Sequence, residues 1–331
     1  MIRDSGNPDS LSVALCTFNG EKFLRAQLDS IASQSRAVQE IVITDDQSTD
    51  ATPEIVRQFA AESAIPVHFH VNPSRLGVTK NFEKAVSLCQ GQIIFLCDQD
   101  DLWRNDKVAR LADCFADPAV GLALSNAQVV NEDLSLAGYN LWQSVWFDAA
   151  EQQSVQCGDA LPVLLRHAVA AGSTLAFRAV HRSLVLPITD FPHSHDIWIT
   201  LLIAAVARIC PLDENLIRYR LHASNTVGLK NHNLISQISM ARKQISIGAF
   251  QYAADLHQAA LDRLCQSNLQ NPQLDRTKSL IAEKISHSRR RHDMPKHRFH
   301  RLPVIAQELR AGNYHKYSYG YKSVLQDLFL R

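Results

Sequence analysis

The first hundred residues alternate continuous apolar runs with amphipathic stretches, and this alternation constrains the fold more than any other feature of the chain. Residues 11–16 (LSVALC), 40–44 (EIVIT), 67–71 (VHFHV) and 92–97 (QIIFLC) read as strands. Between them, residues 21–33 place Phe23, Leu24, Leu28 and Ile31 at helical spacing. Pro53 stands near the start of a second helix, where its missing N–H costs little, and a third helix runs through residues 81–89. Strands apolar at nearly every position must be covered on both faces. The pattern therefore predicts an α/β fold: a mostly parallel central sheet with helices on both sides.

In such sheets ligands bind beyond the carboxyl ends of the strands. The sequence places Cys16-Thr17-Phe18-Asn19, Asp45-Asp46 and Asp98-Gln99-Asp100-Asp101 there. Carboxylates one residue apart can converge on Mg²⁺ or Mn²⁺, which is normally shared with substrate phosphates and offsets charge on a phosphate leaving group. The same D-x-D-D could be an acidic turn capping a helix that begins near Trp103. Likewise, residues 45–50 (DDQSTD) could be a turn feeding an N-cap, with Thr49 and Asp50 structural. Three polar strand ends on one edge favour a ligand site. Asp46 is the better candidate there to accept a hydrogen bond from a nucleobase imide or a ribose hydroxyl.

Composition bounds the rest. The 331 residues are 46% hydrophobic, which excludes wholesale disorder. The net charge of +1 hides a partition: residues 276–331 carry 13 Lys and Arg against 4 Asp and Glu, and the remainder carries 21 against 29. Seven scattered cysteines without a C-x-x-C pair point to reduced thiols and a cytoplasmic protein. Residues 1–12 lack the apolar stretch of a signal peptide, and the apolar run 197–207 is too short to span a bilayer. Residues 122–221 look mixed. After Gly228 the pattern turns helical and polar, with Pro272 and Pro295 as breakers, so the expected organisation is a catalytic domain over 1–230 and a helical, basic region over 231–331.

Four segments carry a resemblance: residues 13–20 (VALCTFNG), 41–50 (IVITDDQSTD), 72–81 (NPSRLGVTKN) and 95–103 (FLCDQDDLW). In this order and spacing the chain resembles an inverting family 2 glycosyltransferase of GT-A fold, and most of all the rhamnosyltransferase-like enzymes of bacterial surface polysaccharide assembly. The resemblance implies that Cys16, Thr17, Asn19 and Asp46 lie at the nucleoside, that Asp98 faces ribose or sugar, and that Asp100 faces a divalent cation, Mg²⁺ or Mn²⁺. Asp101 could share either task. Lys80-Asn81 matches a basic-Asn pair near the donor. Gln47 stands where the family has Gly, which puts a left-handed backbone there in doubt.

An inverting transfer is a direct displacement and needs a base for the acceptor hydroxyl. The resemblance assigns that role to Asp196 in His195-Asp196-Ile197-Trp198, although Asp196 could also serve as an N-cap. Tyr219-Arg220-Leu221-His222-Ala223-Ser224-Asn225 resembles the Tyr-Arg-x-His segment late in the catalytic domain of the subgroup. There His222 could ligate the metal or touch the diphosphate, and Arg220 could neutralise phosphate charge. Residues 169–174 (VAAGST) resemble a small-residue strand beneath the acceptor site, with Gly172 allowing close approach. Trp142, Trp146 and Trp198 fit a core role better than sugar stacking.

The implied donor is a nucleotide-diphospho-sugar, plausibly dTDP-L-rhamnose, and the implied acceptor is a hydroxyl of a lipid-linked or surface glycan. The basic tail, 276–331, suits an anionic membrane at the inner face of the cytoplasmic membrane, with no nucleic-acid motif to support the other polyanion. Two rivals stay open. A nucleotidyltransferase would want a glycine-rich loop after the first strand, where this chain has only Gly20. A scaffold with a dead transferase fold would have had no reason to keep the acidic and His-Asp motifs intact.

Overall fold

The computed structural model describes residues 10–191, 195–222, 234–267 and 274–330. Among these, nine strands form one sheet: β1 (Leu11–Thr17), β2 (Glu40–Asp45), β3 (Val67–Val71), β4 (Ile93–Asp98), β5 (Leu102–Trp103), β6 (Val120–Val130), β7 (Leu136–Asn140), β8 (Leu175–Arg178) and β9 (Arg208–Arg220). Their order is β3-β2-β1-β4-β8-β6-β9-β5, with β7 pairing to β6. The first four are parallel to one another; β8 then joins antiparallel to β4 and β6, while β6 and β9 run parallel.

In β1 the consecutive residues Val13, Ala14 and Leu15 are all fully buried. Successive side chains point to opposite faces, so both faces of the sheet are covered there, as continuous apolar runs require. The helix Leu24–Ala32 buries Leu24, Gln27, Leu28 and Ile31, one stripe of its surface. The helix Val78–Leu88 lies against β1 and β2. β3 is half-exposed because it forms the sheet edge.

The chain divides into two compact units, residues 1–158 with 169–229 and residues 159–168 with 230–331. The first holds the sheet. The second is helical, with Ala160–Arg166, Leu234–Ser246, Ala249–Gln266, Leu274–His292, Arg298–Arg310, Asn313–Tyr317 and Tyr321–Phe329. One of its apolar clusters gathers Met294, Ile305, Tyr314 and Val324, with Leu309 and Leu328 at its margin.

Part of the basic surplus expected to face outward is internal to this unit. Arg291 is buried and grips Asp327 through two bonds, Nε to Oδ2 at 2.7 Å and Nη2 to Oδ1 at 3.1 Å. Tyr314 donates its hydroxyl to the same carboxylate at 2.8 Å. His287 joins Glu308 at 2.5 Å and Ser318 at 2.9 Å, and buried Lys284 donates to the Tyr317 carbonyl at 2.9 Å. Buried Arg301 donates to the carbonyls of Pro295 and Asp327. These side chains donate to buried acceptors, which would cost several kcal/mol if left unpaired.

Candidate active site at the carboxyl edge of the sheet

The parallel register sets the site. Cys16 stands opposite Asp98, and Thr17 opposite Asp45. The Thr17 hydroxyl donates to Asp45 Oδ1 at 2.7 Å, and Asp45 also accepts from the Ser48 amide at 2.8 Å and hydroxyl at 2.5 Å. That Asx-type turn carries Gln47 at φ +63°, so the left-handed conformation doubted for a Gln is present. The Gln47 amide group donates to the Pro73 carbonyl at 2.7 Å and ties the turn down. Asn19, at φ +46°, accepts from the Thr49 amide at 2.9 Å and so links the two strand-end loops.

Asp46, Asn81 and Lys80 belong to a cluster around residues 72–81. Buried Asp46 accepts from the Asn72 side chain (3.0 Å) and from the amides of Leu76 (2.6 Å) and Gly77 (2.9 Å), which shapes the loop after β3. Asn81 donates to the Thr44 carbonyl at 2.9 Å and accepts from Asn72 at 2.9 Å. Lys80 meets Glu83, the Ile188 carbonyl and Asp190. Cys16 bridges this cluster to the acidic one: burial pushes its thiol well up, and both Asp98 and Asp46 add to the effect.

The acidic segment is not a helix cap. Leu102–Trp103 pairs antiparallel with β9, and the next helix starts only at Lys107. That pairing brings the end of β9 onto the carboxylates. The Arg220 amide donates to Asp101 Oδ1 at 3.1 Å, and its guanidinium donates to the carbonyls of Asp100 (2.9 Å) and Glu132 (2.6 Å). His222 Nε2 lies 2.9 Å from Asp100 Oδ2. Phe23 supports both, 4.6 Å from the Arg220 guanidinium and 4.9 Å from the His222 ring. A cavity of about 460 Å³ lined by Lys22, Asn131, Glu132, Asp133 and Ser135 opens beside the same β6–β7 turn.

The carboxyls at this edge act on one another. Burial raises the Asp98 carboxyl well above the usual range, and Asp100, Asp101 and Asp196 raise it further. Burial and then Asp100 push Asp101 up to about 7. Burial also raises the Tyr219 hydroxyl, and all four aspartates contribute. Asp196 therefore stands near enough to the 98–101 segment to be felt by it, although nearly a hundred residues separate them in sequence.

Sequence reasoning missed three participants. Gln99 clamps the Phe18 peptide, accepting from its N–H at 2.9 Å and donating to its carbonyl at 3.0 Å. Gly20 leaves room for this clamp, since a Cβ there would meet Gln99 Oε1 at 2.3 Å and push the amide aside. Lys107 is fully buried, donates to the Ser173 carbonyl at 2.7 Å and sits 3.5 Å from the Trp103 ring centroid. Burial depresses its ammonium to about 7, against the opposing pull of Cys97, Asp101 and Asp98. The signal was a lysine opening an otherwise apolar helix face with Val108, Leu111 and Ala112.

On the opposite side of the sequence, the helix His195–Ala204 begins with His195, and Asp196 Oδ1 accepts from the Ile197 amide at 2.8 Å. His195 stacks on Phe82 with ring centroids 4.4 Å apart. Residues 169–174 do not form the expected strand. Gly172–Thr174 is a 3₁₀ turn leading into β8, because the Ser173 carbonyl serves Lys107 and the His195 ring occupies the space over Gly172, where a Cβ would meet Nε2 at 2.6 Å. Trp142 and Trp198 are buried, the latter donating to the Val185 carbonyl, while Trp146 is partly exposed. Ala223, Ser224 and Asn225 of the late motif lie outside the described residues. Among those described, no group of three or more His, Cys, Asp or Glu side chains is arranged to hold a metal ion; the expected pair, Asp100 and His222, does meet.

Comparison with known proteins places this geometry. The family profile described as "Glycosyl transferase family 2" matches residues 12–162. An uncharacterized glycosyltransferase of Nostoc sp. is 25% identical over 226 residues, 65% of this chain and 66% of that protein. The dTDP-rhamnosyl transferase RfbG of Shigella flexneri is 32% identical over 146 residues, 42% of this chain and 47% of its own. An uncharacterized protein of Mycobacterium tuberculosis is 34% identical over 96 residues, 29% of this chain, and there the match spans only 28% of the relative's length. Among solved structures, residues 1–349 of S. aureus TarS in complex with UDP superpose with a TM-score of 0.55 at 16% identity, covering 87% of this chain and 72% of that one. This likeness shows the fold.

Proposed function

We propose that the chain, whose residues 12–162 match the glycosyl transferase family 2 profile, moves a sugar from a nucleotide-diphospho-sugar to a hydroxyl of a lipid-linked or surface polysaccharide, with inversion at the anomeric carbon. The observation that carries this reading is the convergence of Asp98, Asp100, Asp101, Asp196 and His222 at the carboxyl edge of the parallel strands. The rhamnosyl relative supports dTDP-L-rhamnose as donor.

Asp196 is the base. It takes the proton of the acceptor hydroxyl as that oxygen bonds to the anomeric carbon, and the bond to the diphosphate oxygen breaks with its electron pair on the phosphate. The amide of Ile197 holds the carboxylate in place for this step. Asp98 receives a ribose or sugar hydroxyl beside Cys16 and Thr17. Arg220 acts by position, fixing Asp100 through its backbone and leaving the carboxylate turned toward His222.

The donor set fits a hard divalent cation. Asp100 offers a carboxylate oxygen, His222 offers a ring nitrogen beside it, and positive charge there would offset the burial and mutual repulsion that raise Asp98 and Asp101. Asp100 and His222 would hold Mg²⁺ or Mn²⁺, which when bound offsets the charge on the departing nucleoside diphosphate. Lys107 places a buried amine near the same carboxylates and holds the Ser173 turn.

Titration calorimetry with thymidine, uridine and guanosine diphosphates in the presence of Mn²⁺ tests the reading. Saturable binding of one of them, weakened in Asp98→Asn, supports it. Absence of binding by all three removes it.

A further inference from the structure

The acidic residues of the last part of the chain are both withdrawn from its surface. From residue 296 to the end, Glu308 and Asp327 are the only carboxylates in the sequence. Each is fully buried, Glu308 against His287 and Arg290, Asp327 against Arg291 and Tyr314. Lys296, Arg298, Arg310, Lys316 and Lys322 stay exposed. Folding thus turns a segment of mixed charge into a surface of cations alone.

The same two helices leave large apolar side chains outside. In Tyr321–Phe329, Tyr321 (69% exposed), Leu325 (54%) and Phe329 (68%) recur every fourth residue and so lie along one stripe, while Val324, Gln326 and Asp327 point inward. In Arg298–Arg310, Phe299 (60%) and Leu302 (47%) face outward while Arg301, Ile305 and Glu308 are buried. The helices are joined where Arg301 donates to the Asp327 carbonyl at 3.0 Å, and both contribute to the cluster around Met294 and Tyr314. A water-facing helix would place its charges of both signs outside and its aromatics inside. These keep their carboxylates inside and leave large apolar side chains outside beside the cations.

We propose that Phe299, Leu302, Tyr321, Leu325 and Phe329, with Lys296, Arg298 and Lys322, form a docking face for an anionic phospholipid bilayer. Charge complementarity selects this occupant: apolar and aromatic side chains enter the headgroup boundary while only cations meet the lipid phosphates. A second copy of the chain would bring the same cations against themselves. The docking is interfacial, since no described helix is long and apolar enough to cross a membrane. It also does not use the Arg289–Arg291 run as a unit, because Arg291 is buried and Arg290 is paired with Glu308. The proposal extends the reading of a lipid-linked acceptor but stands on this face alone.

Flotation of the full chain with phosphatidylglycerol-containing vesicles and with pure phosphatidylcholine vesicles tests it. The wild type floats with the anionic vesicles, less so in high salt. Replacing Lys296, Arg298 and Lys322 with Glu lowers partitioning on the order of a hundredfold, Leu325→Ser with Phe329→Ser also lowers it, and Arg289→Glu leaves it nearly unchanged. Circular dichroism and donor binding in solution stay at wild-type levels in all variants, which separates failure of this face from failure of the proposed activity. Equal flotation by the face variants, equal binding to both vesicle types, or a dimer that these substitutions dissociate would each overturn the proposal.

Discussion

Nε2 of His222 lies 2.9 Å from Oδ2 of Asp100 across 122 residues of sequence. The contact exists because the two-residue strand β5 pairs with β9 immediately after the acidic segment, so the end of β9 is laid over the carboxylates. Arg220 closes the arrangement by holding the Asp100 backbone. If this pair is where a divalent cation binds, free Mn²⁺ measured by its electron paramagnetic resonance signal should fall on adding the protein with a nucleoside diphosphate. His222→Ala and Asp100→Asn should each weaken that binding by roughly 10- to 100-fold. Unchanged Mn²⁺ affinity in both variants would assign the pair a structural role.

Asp196 is proposed to carry the proton transfer. Asp196→Asn keeps the size of the side chain and an acceptor for the Ile197 amide, so folding is preserved. Turnover should fall about 10²- to 10⁴-fold with donor affinity nearly constant. A loss of donor binding equal to the loss of turnover would instead make Asp196 a binding residue.

Gly172 has a packing reason to be glycine, since a Cβ would stand 2.6 Å from His195 Nε2. His195 is itself held on the Phe82 ring and neighbours Asp196. Gly172→Ala should therefore displace the imidazole, cost roughly 1–3 kcal/mol of stability and reduce turnover. Adding His195→Ala to it should recover much of the stability, measured by urea unfolding. No recovery in the double variant would place the strain elsewhere.

Most of the parallel half of the fold was legible because β1, β2 and β4 are apolar at nearly every position, a pattern that only a doubly covered sheet tolerates. The acidic site was legible for a related reason: Asp98, Asp100 and Asp101 follow such a strand directly. What escaped depends on distant partners. Gln99 has a role only because the Phe18 peptide comes alongside it, and Lys107 reads as a surface lysine until Ser173 and Trp103 enclose it. β9, thirteen residues with charges and Pro211, is a strand because β6 runs beside it, not because its own sequence alternates cleanly. The run Arg289–Arg291 reads as part of a membrane-facing basic tail, yet Arg291 turns inward to Asp327, 36 residues later.

Acid stability should report the buried network of the helical unit. Burial opposes the charge on Glu308, but hydrogen bonds from His287, Asn313 and Arg290 hold its carboxyl down at about 2, against an ordinary 4.5. A carboxyl held low in the folded state contributes stability above its unfolded value, and that contribution is lost as pH falls from about 4.5 toward 2. The urea midpoint of Glu308→Gln should lie well below wild type at pH 7 and approach it by pH 3. A constant difference across that range would contradict the assignment.

The central claim is that the acidic edge of the sheet binds and turns over a nucleotide-diphospho-sugar. Release of nucleoside diphosphate by the purified chain, followed across dTDP-, UDP- and GDP-linked sugars with Mn²⁺ and then with chelator, tests it most directly. Release is expected from one donor class, dTDP-L-rhamnose first, and should stop with chelator and in Asp100→Asn. Release from none of them, or equal release by the Asn variant, would contradict it.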